Sequence, residues 1–99
     1  MIREKKRYLR VKLNGEEKFT KEKANALIHS AVLDFLGEKG ASVAGISIKE
    51  YREERQLAIV KCSLSSYPEV LSALSLKRFY CGKSVLLRVE KASGVLAKL

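Results

Sequence analysis

One stretch of the chain, residues 20–37, places the strongest constraint on the fold. Its apolar residues recur with the spacing i, i+3, i+4, i+7, i+8, i+11 and i+12, which marks one face of an α-helix. Thr20 is predicted to cap the N-terminus of this helix, and Gly37 or Gly40 to end it. A helix with one broad apolar stripe must be covered by a sheet or by a second helix. The stripe consists of Ala24, Leu27, Ile28, Ala31, Val32, Phe35 and Leu36.

The rest of the chain supplies four predicted strands and a second helix. Alternating apolar and polar residues predict strands with one buried face, and a run that is apolar on both faces predicts a central strand. A capping box from Ser66 to Glu69 opens the second helix. In chain order, the four strands cover residues 8–13, 43–51, 56–64 and 84–91, and the second helix covers residues 67–76.

This β-α-β-β-α-β order predicts an α+β fold of the ferredoxin-like type. Such a fold has a four-stranded antiparallel sheet with two helices on one face, and its strand order is 4-1-3-2. The 99 residues suit a single domain, in which residues 1–7 form a basic leader and residues 92–99 a C-terminal tail. In the second strand, alternation turns Ser47, Lys49 and Tyr51 outwards, away from the core.

Positive charge is concentrated at the two ends of the chain. The formal net charge is +9, and residues 1–23 and 77–99 each contribute +5 while the middle contributes −1. Because the first and last strands are neighbours in the predicted sheet, both basic ends meet on one side of the molecule. Such a surface indicates a polyanionic partner, and nucleic acid is favoured over a membrane surface.

Two further features of composition concern location. No apolar run approaches the ~18 residues that a membrane-spanning helix needs. The chain has two cysteines without a spacing pattern, which indicates a reducing compartment. A cytoplasmic protein that does not bind membranes is therefore expected.

Five short segments carry a resemblance to a known family. They are Lys5-Lys6-Arg7-Tyr8 before the first strand, residues 19–22 and 36–40 at the ends of the long helix, residues 58–62 in the third strand and residues 89–95 near the C-terminus. In this order and spacing the chain resembles archaeal ribonuclease P protein component 2, whose RRM-like fold is shared with eukaryotic relatives. The family's Ser-Gly-Thr pattern is replaced here by Ser93-Gly94-Val95.

The resemblance implies a protein subunit of ribonuclease P, the ribonucleoprotein endonuclease that cleaves the 5′ leader from precursor tRNA. RNA would carry the chemistry with bound magnesium, and the protein itself would bind no cofactor. The implied partners are the RNase P RNA, precursor tRNA through the complex, and component 3, a TIM-barrel subunit; a homodimer within a heterotetramer is also implied. The alternative is a ferredoxin-like regulatory or assembly module that binds a small ligand or a protein, although such modules rarely need a charge of +9.

The predicted binding residues lie on the open face of the sheet, in the basic leader and in the loop before the last strand. The third strand offers leucine and isoleucine where a sheet that binds single-stranded RNA has aromatic residues, so base stacking on the sheet is not expected. The residues predicted to bind RNA are Arg3, Lys5, Lys6, Arg7, Arg10, Lys12, Lys49, Lys61 and Arg88. Those predicted to bind a protein partner are Leu57, Ile59, Leu86, Phe79 and Tyr80.

No catalytic or metal-binding residue is predicted. Cleavage of RNA by a protein usually needs a positioned acid and base, and the one histidine, His29, lies beside the apolar stripe of the helix. Glu53 and Glu54 lie among arginines in a hairpin, where they are expected to be solvated. Cys62 is expected in the core, and Cys81 has no partner at a spacing typical of metal sites.

Overall fold

Two helices and five strands make up the parts of the chain that the computed structural model describes, residues 6–80 and 82–94. Neither helix is long and apolar enough to cross a membrane. In chain order the elements are β1 (Lys6–Gly15), α1 (Lys21–Ala44), β2 (Ser47–Arg52), β3 (Leu57–Ser63), a 3₁₀ turn (Leu64–Ser66), α2 (Tyr67–Leu76), β4 (Phe79–Tyr80) and β5 (Lys83–Ser93).

The strands form one sheet in the order β2-β3-β1-β5-β4, with every neighbouring pair antiparallel. The α+β class and the neighbour order of the four longer strands agree with the sequence prediction. The predicted count of four strands is wrong, because Phe79 and Tyr80 pair with Ser84 and Lys83 as a fifth strand. A two-residue strand shows no periodicity, so the sequence pattern placed these two residues in a loop.

The long helix extends further than predicted. Thr20 caps it as expected, since its side chain accepts a hydrogen bond from the Lys23 backbone N–H at 3.3 Å. Gly37 interrupts the helix with φ 75° and ψ 176°, a conformation that is essentially restricted to glycine, but the helix then resumes and continues to Ala44. Gly45, in the left-handed region, ends it. The predicted end at Gly37 or Gly40 is therefore wrong, and the second strand begins at Ser47 rather than at residue 43.

The core lies between the sheet and the two helices. Five members of the predicted stripe of α1 are buried, namely Ala24, Leu27, Ile28, Ala31 and Val32. Phe35 is an exception, with 47% of its surface exposed, because it borders the end of α2 at Leu76, where no further helix covers it. The strands contribute Leu9, Val11, Leu13, Ala58, Val60, Cys62, Val85 and Leu87 to the same core.

A β-bulge in β2 reverses the side-chain alternation that the sequence predicted. Ile48 pairs with Val60, but the next pair is Glu50 with Ile59, so Lys49 is an extra residue. Tyr51 consequently lies opposite Ala58 and packs against the core. The prediction that Tyr51 points outwards is wrong, because it assumed a regular strand.

The loop before α1 is held by hydrogen bonds to the β2–β3 hairpin. The Phe19 backbone N–H donates to Gln56 Oε1 at 2.6 Å, and the Phe19 carbonyl accepts from Gln56 Nε2 at 3.2 Å. The Tyr51 hydroxyl donates to the same carbonyl at 2.6 Å. A side chain at Gly15 would begin only 3.0 Å from the Phe19 ring, so glycine lets this ring lie against the end of β1. Phe19 is therefore fixed in place from several sides.

Candidate nucleic-acid interface

The outer face of the sheet, which points away from the helices, is rich in cations. Along β1, Arg10 and Lys12 alternate with the buried residues Leu9, Val11 and Leu13. The neighbouring strands also place cations on this face. Arg88 of β5, for example, lies opposite Lys12. This arrangement brings several of the predicted RNA-binding residues together.

Three lysines, Lys6, Lys49 and Lys61, meet at one corner of this face, and we refer to them as the lysine cluster. Lys61 lies opposite Tyr8 of β1 and Ser47 of β2, and Lys6 and Lys49 stand two residues from those positions. The close Lys6 side chain is the largest cause that lowers the pKa of Lys61, and repulsion from the charge of Lys49 is the next. The three ammonium groups thus lie close enough to repel one another.

Carboxylates do not compensate the lysine cluster within residues 6–80 and 82–94, where no ion pair involves any of its members. Other cations of the protein are paired: Lys77 contacts Asp34 at 2.8 Å, and Lys83 contacts Glu17 at 2.6 Å. Like charges held together disfavour their own charged forms, and a polyanion relieves that repulsion. The cluster therefore has the electrostatics of a site for phosphate groups.

Two of the predicted RNA-binding residues are engaged within the protein instead. Arg10 Nε lies 3.5 Å from Glu90 Oε1, where Glu90 is the extra residue of a second β-bulge, in β5. Lys12 Nζ donates a hydrogen bond to the carbonyl of Arg55 in the β2–β3 hairpin. These contacts link β1 to its surroundings, so Arg10 and Lys12 are less available to RNA than the lysine cluster.

The remaining predicted cations are more dispersed. Arg88 is exposed on β5. Along β1, Arg7 falls between outward-facing residues and therefore points to the opposite face of the sheet. Its guanidinium lies against Gly94, away from the lysine cluster. Arg3 and Lys5 lie outside the described residues.

The predicted protein-binding residues do not form one surface. Ile59 is only 8% exposed, so the prediction that it is accessible is wrong. It belongs to an inner strand, and its neighbours across the sheet are Arg10 and Glu50, whose long side chains flank it. Leu57 is half-buried, and Leu86 is exposed on β5.

Phe79 forms part of a different apolar surface, on the helix side of the molecule. It is 66% exposed and borders a groove of about 360 Å³ between α1 and α2, together with Phe35 and Leu76, which are 47% and 60% exposed. Ala31 and Ala73 also line this groove. Sequence reasoning missed Phe35 because the helical pattern assigned it to the buried stripe of α1, and it gave no role to Leu76, the last residue of α2. We call this feature the helix groove.

The His, Cys, Asp and Glu side chains of the described residues do not cluster as the lysines do. Among residues 6–80 and 82–94, no three His, Cys, Asp or Glu side chains converge so that they could hold a metal ion. His29 is exposed on α1, and Glu53 and Glu54 are exposed in the hairpin.

Comparison with known proteins identifies the family. Residues 7–99 match the model of the Rpp14/Pop5 family. The chain is 30% identical over 98 residues to ribonuclease P protein component 2 of Pyrococcus abyssi, covering 99% of this chain and 83% of the relative. It is also 30% identical to component 2 of Pyrococcus furiosus and 31% identical to that of Thermococcus gammatolerans, covering 99% of this chain and 82% of each relative. A chain of yeast ribonuclease MRP, solved by cryo-EM, shares the fold with a TM-score of 0.58 at 10% identity, over 95% of this chain and 77% of that chain. The chain therefore belongs to the Rpp14/Pop5 family of ribonuclease P protein subunits.

Proposed function

We propose that this chain binds the RNA of a ribonuclease P and that the lysine cluster is its main contact with RNA phosphates. The relatives named ribonuclease P protein component 2 support the class of function. The observation that carries the RNA contact is the charge of Lys6, Lys49 and Lys61, which no ion pair among residues 6–80 and 82–94 compensates. Arg88, which is exposed on β5, would continue this contact along the outer face. Contacts of this kind position a protein on RNA and carry no sequence information directly.

The proposed complex removes the 5′ leader from precursor tRNA, with the chemistry carried by the RNA. We assign magnesium to the RNA and no chemical step to this protein, as the resemblance to ribonuclease P protein component 2 implies. Its role is to neutralise phosphates so that RNA segments can approach one another. The free, buried Cys62 is compatible with a reducing cytoplasm.

Reconstitution tests this function. The protein alone, with magnesium and precursor tRNA, should not cleave the substrate, and cleavage should require RNase P RNA. Correct 5′ cleavage by the protein alone, if lost in His29→Ala, would contradict the proposed role. RNase P RNA should also copurify with the chain from native extract. Its absence there would favour a regulatory module of the same fold.

We further propose that a TIM-barrel subunit, component 3, docks on the helix groove and not near Ile59. The exposed side chains of Phe35, Leu76 and Phe79 would lose water contact in such a complex, which is the usual role of a contiguous apolar surface. We infer a ferredoxin-like arrangement with an added edge strand, and the order β2-β3-β1-β5 of the longer strands supports this inference. A homodimer of this chain within a heterotetramer would leave the helix groove of each copy for its own TIM-barrel partner.

Substitutions of matched exposure test the docking surface. Phe79→Glu and Leu76→Glu should each weaken binding to component 3 by about tenfold or more, as expected for central interface residues. Val43→Glu is the control, because Val43 is 58% exposed on α1 and lies outside the groove. Binding can be measured by calorimetry, with circular dichroism to verify folding. Equal losses in all three variants would place the interface elsewhere.

A further inference from the structure

A pocket at the end of the sheet combines aromatic side chains with a rim of lysines. Its volume is about 300 Å³, at the lower end of the range for small-molecule sites, ~300–1,000 Å³. It lies between the loop before α1 and the start of β5. The residues that define it are Phe19, Tyr80 and Val85 as its apolar part and Lys18, Lys23 and Lys83 as its basic rim.

The aromatic part of this pocket is held in a fixed position. Phe19 is anchored by the two hydrogen bonds between its backbone and the Gln56 side chain and by its close approach to Gly15. Tyr80 is half-buried in β4, and the Lys77 ammonium lies 5.7 Å from the centre of its ring, within the range of a cation–π contact. Phe19 is only 8% exposed, so a ligand ring would meet mainly the ring of Tyr80 and the exposed edge of Phe19, and neither needs much rearrangement.

The charges around the pocket favour an anionic ligand. Two carboxylates, Glu16 and Glu17, line the pocket with the three lysines, so the net charge of the lining is +1. Glu17 is paired with Lys83 at 2.6 Å, and this lysine lowers the pKa of the Glu17 carboxyl. Lys18 and Lys23 make no ion pair within residues 6–80 and 82–94. This positive excess beside an aromatic side chain suits a flat ring that carries a phosphate.

The pocket is continuous with the outer face of the sheet. A shallower groove of about 210 Å³ runs from Lys12 at the end of β1 to Lys18, and it shares Glu16, Glu17 and Lys18 with the pocket. The lysine cluster lies at the other end of β1, roughly 30 Å away for a ten-residue strand. An RNA strand that follows β1 would lead from the cluster to the pocket.

We propose that this pocket receives one unpaired nucleotide of the bound RNA, with its base against Tyr80 and Phe19 and its phosphate at Lys18 and Lys23. This inference rests on the proposed RNA-binding function. Proteins that recognise single-stranded RNA stack splayed bases on aromatic side chains. The central strand β3 offers Leu57 and Ile59 in place of aromatics, so the pocket supplies the stacking surface that this strand lacks.

Binding of RNase P RNA and of a ten-nucleotide single-stranded RNA to the full chain tests the pocket. Tyr80→Ala should weaken both affinities by about 5- to 100-fold, the effect of losing one stacked base, and should leave the salt dependence unchanged because stacking releases no counterions. Tyr80→Phe should bind as the unaltered protein does. Phe79→Ala is the matched control, since Phe79 is the neighbouring aromatic of β4 but borders the helix groove.

A double variant at two exposed lysines also tests the pocket, and it is expected to preserve the fold because neither side chain is buried. Lys18→Gln with Lys23→Gln should lower the salt slope of RNA binding by about 0.7 to 0.9, corresponding to the one phosphate that the two lysines contact. If the unaltered chain does not bind RNase P RNA, the proposed function itself fails. If the unaltered chain binds and both Tyr80→Ala and the lysine pair bind equally well, only the pocket is refuted. Loss of component 3 binding by Tyr80→Ala, with RNA affinity intact, would likewise refute the nucleotide site and indicate a protein ligand.

Discussion

Removing the lysine cluster should change the salt dependence of RNA binding more than removing any comparable set of charges. Each phosphate contact contributes about 0.7 to 0.9 to the slope of log K against log salt. Replacing Lys6, Lys49 and Lys61 by glutamine should therefore lower the slope by about 2.1 to 2.7. Over a change from ~50 to ~200 mM salt, the unaltered protein should lose about 20- to 40-fold more affinity than the triple variant.

The control for this experiment removes the same charge from other surfaces. Lys21 and Lys39 are exposed on α1, and Arg52 is paired with Glu50 at 3.3 Å. Replacing these three by glutamine lowers the net charge equally but should change the slope by less than one contact. Filter binding with RNase P RNA at several salt concentrations measures both variants. Equal slopes for the two triple variants would show that RNA responds to net charge and that the cluster has no special role.

Repulsion within the lysine cluster also predicts how Lys61 affects the stability of the folded protein. The folded chain binds this proton less tightly than the unfolded chain, because the pKa of Lys61 is lowered from its ordinary value of 10.5. The charge of Lys61 therefore lowers the free energy of unfolding by its full amount below the pKa of Lys61 in the folded chain. This destabilisation disappears as pH rises past the pKa of Lys61 in the unfolded chain. Lys61→Gln should raise the melting temperature at pH 7 while weakening RNA binding. A lower melting temperature, measured by circular dichroism, would contradict the repulsion.

Three further predictions concern the fold. Gln56→Ala should lower the free energy of unfolding by about 1–3 kcal/mol, because the Phe19 N–H loses its acceptor; an unchanged urea midpoint would argue against this clamp. Leu27→Ala, at a fully buried position, should cost about 2–5 kcal/mol in the same assay, and a cost below that range would mean that the core closes around the gap. Burial raises the pKa of the Cys62 thiol. In a Cys81→Ser variant, a thiol reagent should therefore label Cys62 only slowly until the protein unfolds. Rapid labelling of the folded protein would contradict the burial of Cys62.

The arrangement of the longer elements could be predicted from the sequence because it depends on periodic burial. The stripe of α1 and the two apolar faces of β3 together determine which strand is central, and the pairing of β3 with β1 and β2 agrees with that prediction. Features that depend on a single residue could not be predicted in this way. The bulge at Lys49 inverts the orientation of Tyr51, and Gly37 bends a helix that continues beyond it.

The residues of the candidate site could be predicted from the sequence, but their arrangement and contacts could not. The sequence pattern selected Lys6, Lys49 and Lys61 among nine cations, but only the strand register shows that they meet. It could not show that Arg10 is engaged by Glu90, since that contact depends on a bulge in β5. Burial of Ile59 was missed because alternation gives the direction of a side chain and not the reach of its neighbours.

The two outer strands of the sheet also determine how copies of this protein behave at high concentration. An exposed strand edge can pair with a strand of another molecule and so begin aggregation. Here one edge is β2, which presents the exposed charged residues Lys49, Glu50 and Arg52 and is distorted by its bulge. The other edge is β4, only two residues long, which pairs with Lys83 and Ser84 and leaves the rest of β5 without a partner on that side among residues 6–80 and 82–94. Extension of the sheet by a neighbouring strand is thus opposed at β2, so strand pairing between copies of this protein would have to begin at β5.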